Sequence, residues 1–162
     1  MKSTCNYPCY RKDKEPSPLL KKKRGDIKLV FFDMDGVLLD TVSSWRYIHE
    51  YFGTTNERSI IPYLRGDFDY LEFIRRDVSL WNINGESVQK ATIQKILYSI
   101  PCMKGIHECI SFLKEHHIQT AIVSAGLDLL AEKVASDVGI DYAFAHEVKV
   151  GADGRVSGVG VL

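Results

Sequence analysis

Two carboxylates, Asp33 and Asp35, stand one residue apart at the end of a short apolar run, and a glycine, Gly36, follows them. Two carboxylates this close repel each other unless a cation compensates, and a hard cation such as Mg2+ prefers oxygen ligands. An aspartate held that way is a nucleophile suited to phosphorus, because the cation screens its charge from an approaching phosphate. Its neighbour can then carry a proton for the leaving alcohol. Gly36 lets the backbone turn sharply and expose amides to phosphate oxygens. A second polar cluster, Ser124-Ala125-Gly126, ends another apolar run. It offers a hydroxyl and two amides before a helical pattern, where anions are favoured. Taken by itself, the Asp33-x-Asp35 spacing also suits a plain turn with a helix cap.

The elements around these residues bring the clusters together. Ile27 to Phe32 is a nearly unbroken apolar run rich in β-formers, expected to be a strand buried on both faces. A longer polar and aromatic stretch follows, from Thr41 to about Ser99. Trp45, Ile48 and Phe52, then Leu71, Ile74 and Val78, then Ile93, Ile96 and Leu97 recur there at helical spacing. Pro101 is expected to open a helix with the stripe Met103, Ile106, Ile110 and Leu113, which also puts Cys102 and Cys109 on one helical face. Ile118 to Val123 reads as a second strand. Leu127 to Val138 reads as a helix closed by Gly139, and Tyr142 to Ala145 as a third short strand. Glu147 to Gly158 alternates around Asp153-Gly154, a two-residue hairpin signal. Strands alternating with helices imply a parallel sheet with right-handed crossovers, which binds ligands at the carboxyl ends of its strands. Both polar clusters lie at such ends.

Composition limits the alternatives. The 162 residues are 45% hydrophobic and 26% charged, ordinary for a globular chain. No apolar run reaches the roughly 18 residues of a membrane span, and no secretory leader is visible, so a cytoplasmic protein off the membrane is expected. Residues 1–26 carry eight basic and three acidic residues, a net of +5, and the remainder has 13 basic and 18 acidic, a net of −5. The whole is neutral, so no pull toward nucleic acid is indicated. The tail, with Cys5, Cys9 and Lys21-Lys22-Lys23-Arg24, reads as a disordered, solvated segment. All four cysteines are expected to be reduced thiols. The glycine-rich stretch from Gly151 to Gly160 precedes no helix and is no dinucleotide fingerprint. Ser124 is no hydrolase elbow, because Ile122 stands where that motif has glycine.

Phe32-Asp33-Met34-Asp35-Gly36-Val37-Leu38-Leu39-Asp40-Thr41 resembles motif I of the haloacid dehalogenase superfamily, and Ile122-Val123-Ser124-Ala125-Gly126 resembles motif II. Asp141-Tyr142-Ala143-Phe144-Ala145-His146-Glu147 with its hairpin, and an insert containing Val78-Ser79-Leu80, resemble the phosphoserine phosphatase branch. The resemblance implies a Rossmann-like α/β core over residues 27–41 and 100–162, a small helical cap over 42–99, and a tail over 1–26. It implies Mg2+-dependent hydrolysis of a small phosphorylated metabolite. In that scheme Asp33 is the nucleophile that forms an aspartyl-phosphate. Asp35 is the general acid/base, with its carbonyl on the metal beside Asp33. Ser124, Ala125, Gly126 and Gly36 hold the phosphoryl group.

Two departures stand out. Where that branch has a Glu after motif I and an Arg in the cap to grip the amino acid, this sequence has Val42 and Asp77, with Arg75 and Arg76 reachable by a small shift. The family also continues to a lysine (motif III) and an acidic Gly-Asp loop (motif IV). Nothing up to Leu162 fits either, and Lys133 and Lys149 precede the hairpin turn. The expectation is a truncated chain that lacks C-terminal strands, has its first strand at an apolar edge, and is a poor or inactive catalyst as it stands.

Overall fold

The computed structural model describes residues 27–161, so the basic tail with Cys5 and Cys9, and Leu162, lie outside the described residues. A four-stranded sheet has the order β1-β4-β5-β6, formed by β1 (Leu29–Phe32), β4 (Gln119–Leu127), β5 (Tyr142–Val150) and β6 (Val156–Gly160). The first three strands are parallel and β6 is antiparallel to β5. Helix α5 (Ile106–Glu115) leads into β4, and α6 (Asp128–Val138) links β4 to β5. Between β1 and α5 lie α1 (Ser44–Phe52), α2 (Glu57–Arg65), α3 (Tyr70–Ser79), a ribbon of β2 (Asn82–Ile83) and β3 (Glu86–Ser87), and α4 (Lys90–Leu97).

Burial follows the sequence periodicity. Ile106 and Ile110 of α5, and Leu130, Ala131, Val134 and Val138 of α6, join Ile122 of β4 in one apolar cluster. Ile48, Ile74, Trp81, Ile93 and Leu97 of the inserted segment belong to the same cluster. Gly139 ends α6 in the left-handed conformation that closes a helix without steric cost. The insert is also tied to the far hairpin. Lys90 donates to the Gly154 carbonyl, Val156 donates to Val88, and Arg155 bonds the Ser87 carbonyl and pairs with Glu86.

Four expectations are corrected. β1 is not buried on both faces: Leu29 and Phe31 point outward with Val123, Tyr142 and Phe144, and Phe31 is 61% exposed. The reason is one-sided cover: Phe32, Ala143 and Ala145 lie against the core cluster, and their strand neighbours lie on the opposite face. β1 is also an edge of the sheet, as expected. Second, the helix expected from Pro101 begins at Ile106. Residues 101–103 instead pair with the chain after β1: Asp40 donates to Pro101, Met103 donates to Leu38, and Leu39 bridges Cys102. Cys102 therefore does not share a helical face with Cys109, and both are exposed free thiols. Third, the third strand and the hairpin are not separate. β5 runs unbroken, parallel to β4 through Tyr142–Phe144 and antiparallel to β6 from Glu147. Fourth, the hairpin loop spans residues 151–155, so Asp153-Gly154 sits inside a longer turn closed by Gly151 bonding Arg155.

Candidate active site

Asp33 follows β1 at its carboxyl end, exposed, with Oδ1 accepting the Met34 amide at 2.7 Å. The chain then reverses tightly. The Met34 carbonyl accepts from Leu38 and Leu39 at 2.9 and 3.0 Å, and Gly36 supplies the left-handed residue, φ +72°, that the turn requires. Met34 itself is wholly buried.

Asp35 points back into the fold. Its Oδ2 accepts both the amide and the hydroxyl of Ser44, at 2.7 and 2.8 Å. Ser44 is the first residue of α1, whose opening amides have no partner within the helix, and Ser43 caps the same turn. The positive end of the helix thus faces a carboxylate. Asp35 Oδ1 is buried with no hydrogen-bond partner. A polar oxygen left so is costly unless a proton or a ligand reaches it.

Ser124, Ala125 and Gly126 lie within the last turnings of β4, where its register with β5 is irregular. Ser124 is buried and its Oγ accepts the Gly126 amide at 3.1 Å, so that amide serves the loop internally. Ala125 is exposed, and its carbonyl accepts the Trp45 indole at 2.9 Å. A Cβ placed on Gly126 would stand 2.4 Å from Met34 Cε, 3.2 Å from Ser44 Oγ and 3.4 Å from Ser124 Oγ. The two strand ends, some ninety positions apart in sequence, therefore meet around Gly126. The start of α6 is already served by Asp128, whose Oδ1 accepts the Leu129 amide at 2.7 Å and the Val148 amide at 3.0 Å.

Residues outside the two motifs complete the surroundings. Ser43, Trp45, His49, Thr54 and Asn56 line a cavity of about 440 Å³ beside α1. Behind them Asp77, 2% exposed, accepts from Asn56 at 2.8 Å and lies 3.4 Å from His49 Nε2. Val42 is 85% exposed. Arg75 and Arg76 both pair with Glu72, and Arg76 also covers the Phe68 ring, so neither takes the place of Asp77. Tyr70 donates to or accepts from His146 Nε2 at 3.0 Å, joining α3 to β5 opposite Leu127. Burial holds the His146 imidazolium below its ordinary range, and burial, then Tyr63 and Asp77, raise the Tyr70 phenol.

The sequence reading found the residues of both strand ends and missed Ser44, Trp45 and the His49–Asp77 pair. Ser43-Ser44 ahead of a helical pattern was a visible cap signal, but nothing local reveals that its donors reach Asp35. For Mg2+, the Asp33 carboxylate and the Asp35 carbonyl are hard oxygen donors at one strand mouth, a chemistry that suits the ion with water and phosphate completing its shell. Among the described residues no group of three or more His, Cys, Asp or Glu is placed to hold a metal ion. No helix among them is long and apolar enough to cross a membrane.

Residues 27–159 match the family model described as haloacid dehalogenase-like hydrolase. The chain is 29% identical over 141 residues to a phosphoserine phosphatase of Methanocaldococcus jannaschii, covering 86% of this chain and 63% of that one. It is 32% identical over 124 residues to one of Campylobacter jejuni subsp. doylei, covering 74% and 56%. Its fold is similar to the phospho-aspartyl intermediate analogue of a phosphoserine phosphatase, with TM-score 0.65, 27% identity, and coverage of 83% and 63%. It is likewise similar to a substrate-bound phosphoserine phosphatase complex, with TM-score 0.66, 26% identity, and coverage of 87% and 64%. The chain spans between 37% and 63% of the length of the curated relatives it matches.

Proposed function

The chain belongs to the haloacid dehalogenase-like hydrolase family, and from that premise we propose that the protein hydrolyses a small phosphomonoester through an aspartyl-phosphate on Asp33. The observation that carries this reading is the meeting of the two strand ends: Asp35, Ser44, Gly126 and Ser124 form one continuous set of contacts. An Asp33 oxygen attacks phosphorus and the ester oxygen departs with its bonding electrons. Asp35 gives that oxygen a proton, then takes one from the water that attacks the aspartyl-phosphate and releases inorganic phosphate. The Ser124 hydroxyl is assigned to the phosphoryl oxygens, whereas the Gly36 amide already donates to the Leu39 carbonyl at 3.1 Å. Mg2+ would be held by the Asp33 carboxylate and the Asp35 carbonyl, and when bound it screens the negative charge of nucleophile and phosphate from each other.

Phosphoserine is not expected to be the best substrate. The relatives are named phosphoserine phosphatases, but Val42 supplies no carboxylate for an ammonium, and Asp77, buried on Asn56 and His49, supplies no cation for a carboxylate. A second reading, a phosphate-binding chain without turnover, draws on the lack of a three-residue acidic or histidine group among the described residues.

Hydrolysis of p-nitrophenyl phosphate with and without Mg2+, in the parent and in Asp33→Asn, tests the proposal. Weak Mg2+-dependent turnover is expected of a chain without the lysine and acidic-loop motifs, and the substitution should abolish it with the melting temperature kept. Turnover within tenfold of the parent refutes the nucleophile. Protection by phosphate without any turnover supports the second reading.

A further inference from the structure

The unpartnered oxygen of Asp35 and the two donors on its other oxygen are a single arrangement. Oδ2 receives the Ser44 amide at 2.7 Å and the Ser44 hydroxyl at 2.8 Å. Two donors fill the lone-pair directions of one carboxylate oxygen, and an amide cannot turn to accept. Oδ2 is thereby held in one orientation, while Oδ1 meets no donor. Ser44 is wholly buried, so water cannot take over its bonds. The next residue along the same turn of α1, Trp45, holds the other strand end by its bond to the Ala125 carbonyl.

We propose that Ser44 is a positioning residue. Its paired donors on Oδ2 fix the orientation of the Asp35 carboxylate that serves as acid toward the leaving oxygen, and α1 thereby sets the acid against the phosphate-holding loop. This rests on the phosphatase reading above. Ser44 touches no reacting atom, and its effect passes through Asp35.

A misplaced acid matters most when the leaving group needs a proton. An alkoxide needs one, whereas p-nitrophenolate departs without. The experiment compares kcat/KM for an alkyl phosphate, such as ethyl phosphate, with kcat/KM for p-nitrophenyl phosphate in the parent, Ser44→Ala and Ser43→Ala. Ser44→Ala removes one charge-assisted bond, so a loss of roughly ten- to a hundredfold is expected on the alkyl ester and less than about threefold on the aryl ester. Ser43→Ala removes only the helix cap, the bond from the Arg46 amide. It should lower the melting temperature without changing the ratio between substrates. Equal losses on both esters in Ser44→Ala would overturn the positioning role, as would the same altered ratio in Ser43→Ala. A parent that hydrolyses neither ester would overturn the phosphatase reading itself, and this inference with it.

Discussion

Replacing Gly126 by Ala adds one methyl group at the point where the two strand ends meet. Gly126 is not among the residues with positive φ, so alanine's backbone preferences are no obstacle. The whole cost is steric. The new Cβ would lie 2.4 Å from Met34 Cε, against the roughly 3.5–4.0 Å at which carbon atoms rest. Met34 cannot retreat by backbone movement, because its carbonyl anchors the turn through Leu38 and Leu39. Its terminal methyl must rotate within a fully buried site. Such overpacking costs about 1–3 kcal/mol, and the stiffer unfolded chain returns about 0.4–1 kcal/mol. A net destabilisation of about 1–2 kcal/mol follows, which lowers the melting temperature by roughly 3–8 °C for a domain of this size. The assay is thermal unfolding of Gly126→Ala in the parent and in a Met34→Ala background, where the clashing atom is gone. The penalty should shrink by about 1 kcal/mol in the second background, the coupling expected of residues in contact. An equal penalty in both backgrounds would refute the steric account and with it the placement of the two strand ends.

Two further outcomes are expected. In a panel of phosphomonoesters, L-phosphoserine should fall roughly ten- to a hundredfold below the best substrate in kcat/KM, the scale of one lost charge-assisted contact; phosphoserine ranking first would refute it. Stability should decline on acidification in two stages. His146 sits below its ordinary value of 6.5 because of burial. The unfolded chain therefore binds its proton first, and stability falls as pH drops below that value. Asp141 is held below 3.8, chiefly by the Thr120 amide and then by the Thr120 hydroxyl, so its contribution is present above that value and is lost as pH falls through its lowered one. Denaturant midpoints of His146→Gln should lose the first stage and keep the second; an unchanged profile refutes the assignment.

How far the sequence was legible depended on the range of the interactions. Periodicity marked α1, α4 and α6 because each buries its own stripe against the core, whereas in α3 Ile74 and Val78 are buried but Leu71 of the expected stripe is exposed. Gly139 announced its cap locally. The β2–β3 ribbon was missed although Asn84-Gly85 carries the signal for it, with φ of 54° and 81°. The start of α5 was misplaced because Pro101 is a local signal, whereas the pairing of residues 101–103 with Leu38 and Asp40 is not. The outward face of β1 was also unreadable, since an unbroken apolar run does not say how many layers cover it. At the site, Asp33, Asp35 and Ser124 stood out by type and spacing. Ser44 and the His49–Asp77 pair depend on contacts between separate helices and loops, which no spacing rule encodes.

The change of partner along β5 has a consequence for how the chain assembles. Glu147–Val150 closes onto β6 through a five-residue loop, a local pairing of the kind that forms in roughly 1–10 microseconds. Tyr142–Phe144 can join β4 only after the intervening α6 has laid its crossover, a pairing over greater separation along the chain. One strand therefore belongs to two kinetic classes at once. Its C-terminal half can order early, and the chain from Tyr142 onward is then already extended when β4 arrives. Ser124 reaches the Asp35 turn through a different pairing, that of β1 with β4, which spans about ninety residues of chain, so the site should be among the last features to form.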